Sequence, residues 1–347
     1  MKAACFKDLK KVICREVADP TILQPTDAIV KVSLAGLCGS DLHLFFGRET
    51  GVDQYTVMGH ELVGTVVEVG EAVKNISVGD RVNAPFTTNC GDCFYCNQGM
   101  TARCESGQLF GWVQNGVGLH GGQSEFVRVG LADGTLKRIP DTVSDASALL
   151  LGDNFSTGFY CAEMAEIRPG GTYAVIGCGT VGLLCIMAAR HMGATNIYAI
   201  DPIPERRQQA ETLGAKALDA NESAITEIKS QTGGRGADGV MELVGLPAAQ
   251  KLAFEIIRPA GIMSVVGCHC TPDFAFSPID AFDKNLTYRT GRCPARSYMD
   301  RLTDLVAEGT FELDSFINRR FGVDEAETAY DIFSNRKEGC LKAAIEF

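Results

Sequence analysis

Four cysteines crowd into residues 90–104: Cys90, Cys93, Cys96 and Cys104 read C-x2-C-x2-C-x7-C. Four thiolates so near one another in the chain can close a tetrahedral sulphur cage on zinc, with no position left for a substrate. Iron–sulphur clusters also take four thiolates, and two local disulfides or a redox sensor would use the same residues. Two other stretches carry ligand-type side chains, Cys38-Gly39-Ser40-Asp41-Leu42-His43 and Gly59-His60-Glu61. A thiolate and an imidazole suit zinc, and a catalytic zinc needs three protein ligands with one position open. Cys38 and His60 supply two. Taken alone, 22 residues apart, they read rather as a buried thiol and a core histidine than as ligands.

A third chemistry belongs to phosphate. Gly177, Gly179 and Gly182 form G-x-G-x-x-G directly after the apolar run 173–176. In such a motif the first glycine permits a tight turn, the second lets backbone approach a pyrophosphate, and the third lets the helix pack on the strand. The helix N-terminus offers free N–H groups to the phosphates. A second strand, 196–200, ends in Asp201, 19 residues after Gly182. A carboxylate there accepts from a ribose hydroxyl and repels a 2′-phosphate, which favours NAD over NADP. Thr180 and Val181, within the motif, and Arg206 are counted with the cofactor contacts.

The elements that must position these groups fall into two kinds. Residues 1 to about 150 read as β-rich, with strands at 28–32, 62–69 and 124–129 and a turn at Gly79-Asp80. From 145 to 164 the pattern is helical, and Asp153 lies among apolar residues within it. A buried acid needs a partner, so Asp153 reads as a helix cap, a salt-bridged acid or a metal ligand. From 172 to 290 strands and helices alternate, which implies a parallel sheet wound on both faces. A helix at 296–308 then returns the chain to the first region. The expected division is 1–153 with 295–347, and 154–294. The fold class is α/β, a doubly wound parallel sheet joined to a β-rich domain.

At 347 residues the chain is long enough for two domains. A net charge of −11 argues against nucleic acid or an anionic membrane as partner. No apolar run reaches bilayer-spanning length, and the N-terminus lacks an apolar signal core, so the expected location is the cytoplasm. Fourteen cysteines in such a compartment suggest metal ligands or free thiols rather than disulfides.

The order of these four motifs resembles the zinc-dependent medium-chain alcohol dehydrogenase family, over essentially the whole chain. The resemblance implies a GroES-like catalytic domain with a Rossmann domain inserted before the last segment. It implies one catalytic and one structural zinc per chain, NAD, and a homodimer or homotetramer acting on a small alcohol or carbonyl compound. Cys38 and His60 then look like ligands of the catalytic zinc. The run 150–163 resembles bacterial secondary-alcohol dehydrogenases, in which an aspartate at the place of Asp153 is the third ligand. Glu61 matches the glutamate behind the zinc, and Asp41 the acid that orients the ligand histidine. Ser40 and His43 match the relay that carries the alcohol proton to solvent. Trp112 falls at a substrate-pocket tryptophan, and Lys342 at a basic residue on the pyrophosphate. That bacterial branch generally lacks the cysteine lobe and often prefers NADP, whereas this sequence keeps the lobe and carries Asp201. Polyol, sugar and formaldehyde dehydrogenases of the same fold are the alternatives, with a non-catalytic dinucleotide-binding protein as the rival of another class.

Overall fold

The computed structural model describes all 347 residues. They form two compact units, one of Met1–Ser156 with Pro294–Phe347 and one of Thr157–Cys293. The divisions fall at 156/157 and 293/294, against the 153/154 and 294/295 expected.

The strands of the first unit are β1 (Lys2–Asp8), β2 (Lys11–Glu16), β3 (Ala28–Gly36), β4 (Leu62–Val69), β5 (Arg81–Ala84), β6 (Trp112–Gln114), β7 (Val117–Leu119), β8 (Phe126–Val129) and β9 (Lys137–Arg138). The second unit contributes β10 (Thr172–Ile176), β11 (Asn196–Ile200), β12 (Lys216–Leu218), β13 (Ala237–Glu242), β14 (Ile257–Val265) and β15 (Thr287–Thr290), and β16 (Arg319–Gly322) and β17 (Ala343–Glu346) return to the first.

Strand β3 organises the first unit. One edge pairs antiparallel with β4. Its other edge is shared: Ala28, Ile29, Val30 and Lys31 pair with β8, and Leu34, Ala35 and Gly36 pair with β17. The alternation of Ala28, Val30 and Val32 sends these side chains into one core with Leu62, Val66, Val82 and Val127. The strand is longer than expected because Leu34, Ala35 and Gly36 extend the same buried run. The hairpin β1–β2 and strands β16 and β17 were not legible: β1, β2 and β16 are rich in charge, and β17 has only four residues. The helical stretch expected at 145–164 is two helices, Asp145–Gly152 and Asn154–Met164, with Asp153 between them at φ −145°, ψ −73°.

In the second unit six strands pair in parallel in the order β12-β11-β10-β13-β14-β15. Sheet order reverses between β10 and β13, the kind of switch point at which open α/β sheets bind ligands. All five side chains of β10 are buried, as a central parallel strand requires.

Candidate active site and metal centres

The catalytic cluster is built on backbone approaches that only glycine tolerates. Cys38 follows the end of β3, and Asp41 opens a helix of five residues, Asp41–Phe45. The Asp41 carboxylate accepts the Cys38 N–H at 2.9 Å through Oδ2 and lies 3.2 Å from His60 Nδ1 through Oδ1. Gly59 precedes His60 at φ +87°, and a Cβ on Gly121 would lie 2.2 Å from the Gly59 carbonyl oxygen. Two backbone segments therefore touch at the residue before His60. Helix Asp145–Gly152 is anchored by its cap, where Ser144 Oγ accepts the Ser147 N–H, and by Asn83 Nδ2, which donates to the Ala148 carbonyl at 2.6 Å. A Cβ on Gly152 would meet the Ala84 carbonyl oxygen at 2.3 Å. That close contact ends the helix and delivers Asp153.

Three segments thus converge. Asp153 Oδ2 is 3.3 Å from Cys38 Sγ and 3.3 Å from His60 Nε2. With Glu61 added, the candidate ligand atoms of all four residues lie within 4.8 Å of one another. Asp41 takes Nδ1–H, so His60 turns Nε2 toward Cys38 and Asp153, the tautomer a metal ligand needs. Ser40 Oγ is 3.2 Å from the same Nε2. His43 is buried on the next turn, and burial lowers it below its ordinary value. The ring beside His60 is Phe86, at 6.5 Å between centroids and nearly perpendicular.

The electrostatics call for a cation. Burial pushes the Cys38 thiol up, and the Asp153 and Glu61 carboxylates push it further. Burial alone would lower His60, but Asp41 and Asp153 outweigh it and hold it well above its usual value. Burial opposes ionisation of Asp153, yet hydrogen bonding and charge from His60 hold its carboxyl well below the ordinary range. Asp41, Glu61, Asp153 and a thiol are gathered with one lysine among them. A sulphur, a nitrogen and an oxygen donor on a buried surplus of negative charge fit a divalent zinc ion.

Lys342 has a partner that the sequence did not indicate: its side chain is 1% exposed, and Nζ lies 2.6 Å from Glu61 Oε1 and 2.5 Å from Oε2. The pairing of β17 with the end of β3 brings it there, since the Leu37 N–H donates to the Ala343 carbonyl at 3.0 Å. Asn154 was missed altogether. Its Nδ2 donates to Glu61 Oε1 at 2.9 Å and to Asp153 Oδ2 at 3.2 Å. The signal was its place beside Asp153. Trp112 opens the ribbon β6–β7, half-buried, and a Cβ on its neighbour Gly111 would lie 3.3 Å from the Gly59 backbone nitrogen. No hydrogen bond or ring contact joins the indole to the cluster.

The second metal centre is local. The Cys90, Cys93, Cys96 and Cys104 sulphurs lie within 4.8 Å of one another, and all four are free thiols. The Cys90 N–H points at Cys104 Sγ at 3.2 Å, and the Cys93 N–H at Cys90 Sγ at 3.3 Å. Backbone amides of Glu105 and Cys96 lower Cys93 to about 6, whereas burial raises Cys96 to about 11. Four sulphurs with amide support form a donor set for zinc without an open position.

In the second unit Gly177 turns at φ +93°, and a Cβ on Gly182 would lie 1.7 Å from the Gly177 carbonyl oxygen. The helix Thr180–His191 starts there, with Gly179 at its N-cap and Thr180 and Val181 in its first turn. Asp201 is 3% exposed and accepts the Cys178 N–H at 2.8 Å and the Ile203 N–H at 2.8 Å. Arg206 stands 4.0 Å from its Oδ2 and 3.6 Å from a Cβ position on Gly179. The motif is therefore braced from beneath by its own acid.

Known proteins resemble this chain in sequence and fold. Residues 24–141 match the family described as Alcohol dehydrogenase GroES-like domain, and residues 180–308 match Zinc-binding dehydrogenase. Zinc-type alcohol dehydrogenase B of Aspergillus flavus is 39% identical over 97% of this chain and 79% of its own length. The solved structure of alcohol dehydrogenase TADH from Thermus sp. ATN1 is 37% identical with a TM-score of 0.93, covering 100% of this chain and 99% of that one. That of 2R,3R-butanediol dehydrogenase from Bacillus subtilis is 29% identical with a TM-score of 0.83, covering 100% and 99%. With its GroES-like and Rossmann-type regions and its two zinc-type donor sets, the chain belongs to the zinc-dependent medium-chain alcohol dehydrogenase family and is an alcohol oxidoreductase.

Proposed function

We propose that this enzyme reversibly oxidises a primary or secondary alcohol to the aldehyde or ketone, with NAD as hydride acceptor. Cys38, His60 and Asp153 hold the catalytic zinc, and Cys90, Cys93, Cys96 and Cys104 the structural one. The observation that carries this reading is the convergence of Cys38 Sγ, His60 Nε2 and Asp153 Oδ2 from three separate segments. Bound zinc supplies electrophilic polarisation of the substrate oxygen and bound nicotinamide the hydride acceptor. Asp41 fixes the His60 ring through Nδ1, as partners of ligand histidines do. Ser40 Oγ, against the same ring, takes up the hydroxyl proton, and His43, kept neutral by burial, receives it on the way to solvent. Asp201 and Arg206 meet the adenosine ribose and favour NAD.

A small alcohol, with neither nucleic acid nor membrane as partner, accords with the charge of −11. No helix is long and apolar enough to cross a membrane, and the cytoplasm is the proposed location. A homodimer or homotetramer accords with the edge strand β15 and with Phe274, Ile279 and Phe282, which are 62%, 78% and 85% exposed in the same unit. Sedimentation equilibrium tests the assembly, and a monomer would refute it.

The testing experiment follows nicotinamide absorbance with NAD and a panel of primary, secondary, aromatic, diol and polyol substrates. The diols are included because the Bacillus subtilis neighbour is a butanediol dehydrogenase. NAD-linked turnover of a simple alcohol or vicinal diol supports the reading. Turnover confined to sugars, polyols or formaldehyde would move the assignment to the alternatives within the fold. Silence across the panel with zinc bound would overturn it.

A further inference from the structure

Two cysteines that neither metal centre uses stand together. Cys268 and Cys270 follow the end of β14 and are separated only by His269. Both carry thiols; Cys268 is the one exposed cysteine of the chain, and Cys270 is half-buried. Their Sγ atoms lie within 4.8 Å of one another. The Cys270 thiol is 3.9 Å from the Cys268 carbonyl oxygen, so its side chain turns back toward its neighbour. Two residues apart, their Cα atoms cannot be more than about 7 Å from each other, and disulfides span about 4.4–6.8 Å. Closing a bond between them asks for side-chain rotation and a small bend of the loop, not refolding.

The loop leaves the sheet beside the switch point. Ile176, Glu242 and Val265 are neighbours across β10, β13 and β14. The first runs on into the glycine motif, and the third into the two cysteines. Glu242, fully buried, ties these ends together. Its Oε1 accepts the Val244 N–H at 2.8 Å and the Gly245 N–H at 2.9 Å. Its carbonyl accepts the Val266 N–H at 3.0 Å and the Gly267 N–H at 3.1 Å, and Oε2 lies 3.2 Å from His269 Nε2. The segments also touch. A Cβ on Gly245 would lie 2.4 Å from the Cys268 carbonyl oxygen, and one on Gly177 would lie 2.6 Å from Val244 Cγ2. The cysteine loop, residues 244–245 and the glycine turn are thus packed in series.

We propose that Cys268 and Cys270 are a modification site: they form a reversible disulfide by exchange with a small-molecule disulfide, and closure weakens the hold of the sheet edge on the dinucleotide. The exposed Cys268 attacks first, as thiolate, on one sulphur of the small disulfide; a mixed disulfide forms and one small thiolate leaves. The Cys270 thiolate then attacks the Cys268 sulphur, and the second small thiolate leaves. Two cysteine thiols are oxidised, one small disulfide is reduced to two thiols, and the two protons pass to the departing thiolates. His269 lies inside the ring that the bond closes. Closure draws it from Glu242, whose carboxylate also holds Val244 and Gly245 against the glycine turn. A bond in so small a ring on an exposed loop is readily reduced, and in a reducing compartment it is a transient state rather than a staple. The effect on the cofactor rests on the dinucleotide reading given above.

The experiment uses the zinc-loaded enzyme, so that the ligand cysteines are covered, with oxidised glutathione as the small disulfide. After incubation, remaining thiols are blocked with N-ethylmaleimide and tryptic peptides are weighed. The segment from Leu252 to Lys284 contains Cys268 and Cys270 and no other cysteine. It should appear unblocked and short of two hydrogens, and dithiothreitol should restore two blockable thiols. Cys270→Ser should instead retain one glutathione on Cys268. A wild-type segment that stays doubly blocked, or that keeps glutathione without closing, would overturn the site. NADH fluorescence titration then compares the two forms. The oxidised form should bind NADH at least about fivefold more weakly, the lower end of coupling between sites. By reciprocity, saturating NADH should raise the ratio of oxidised glutathione to the square of reduced glutathione at half oxidation by the same factor. Equal NADH affinity of the two forms would overturn the coupling. The double variant Cys268→Ser with Cys270→Ser should bind NADH alike before and after treatment; a loss of affinity there would assign the effect to another thiol and overturn the proposal. A reduced wild type that binds no NADH would instead defeat the dinucleotide reading, with the peptide masses still deciding the disulfide.

Discussion

The two metal centres solve the same binding problem in opposite ways. In the lobe, four identical donors lie within 15 residues, and backbone amides support the sulphurs. In the catalytic cluster the donors differ in kind and come from segments 115 residues apart, held by carboxylates, an amide and a lysine. The lobe is saturated with one kind of ligand and supports the fold. The cluster has four candidate ligands, of three chemical kinds, that only the fold brings together. Assembly is thus a property of sequence spacing in the lobe and of tertiary structure in the cluster.

The widest separation should come from removing one ligand on each side. Cys38→Ser or Asp153→Asn should cost on the order of 1,000-fold or more in kcat/KM, since the polarisation of the substrate oxygen is worth several kcal/mol. Circular dichroism should remain native. Full activity in either variant would break the ligand set. Next in size is Asp41→Asn, which leaves all ligands but weakens the hold on His60; loss of about 10–100-fold is expected, read as metal affinity and kcat together. In the lobe, Cys90→Ser should act chiefly on stability, lowering Tm by on the order of 5 °C while kcat in the surviving fraction changes less than twofold. A lobe variant with native Tm and collapsed kcat would reverse the assignment of roles.

The smallest effect is chemical. In chelator-treated protein, Cys93 is lowered to about 6 while Cys38 is raised by burial. Below pH 6 both thiols are protonated and slow. Near pH 7 Cys93 is the thiolate and Cys38 is not, so iodoacetamide should modify Cys93 first, which peptide mass mapping would show. Preferential modification of Cys38 at that pH would mean the two environments are misread.

How much of this was legible follows the same division. The cysteine spacing and the glycine motif are local patterns, and two of the three glycines have a steric reason now visible, φ +93° at Gly177 and the 1.7 Å approach at Gly182. The parallel sheet was legible because its strands are short apolar runs between helices. Asp153 is different: its sequence neighbourhood admits a cap, and it does lie at a helix end, but its carboxylate faces Cys38 and His60 through tertiary packing. The pairing of Lys342 was not legible and Asn154 was overlooked because their partner is Glu61, 281 and 93 residues away. Nothing in a lysine's own surroundings announces a buried counter-ion. The expectation for Trp112 rested on resemblance, and the ring the structure sets beside His60 is Phe86.

The long reach between Glu61 and Lys342 also sets an order of events during synthesis. At about 5–20 residues per second, roughly 15–60 s separate the making of the glutamate from that of the lysine 281 residues later. All four lobe cysteines have been made long before then and can take metal while the chain is growing. The catalytic cluster, by contrast, lies in a unit that is complete only when Pro294–Phe347 has been made, and it receives its lysine with the final strand.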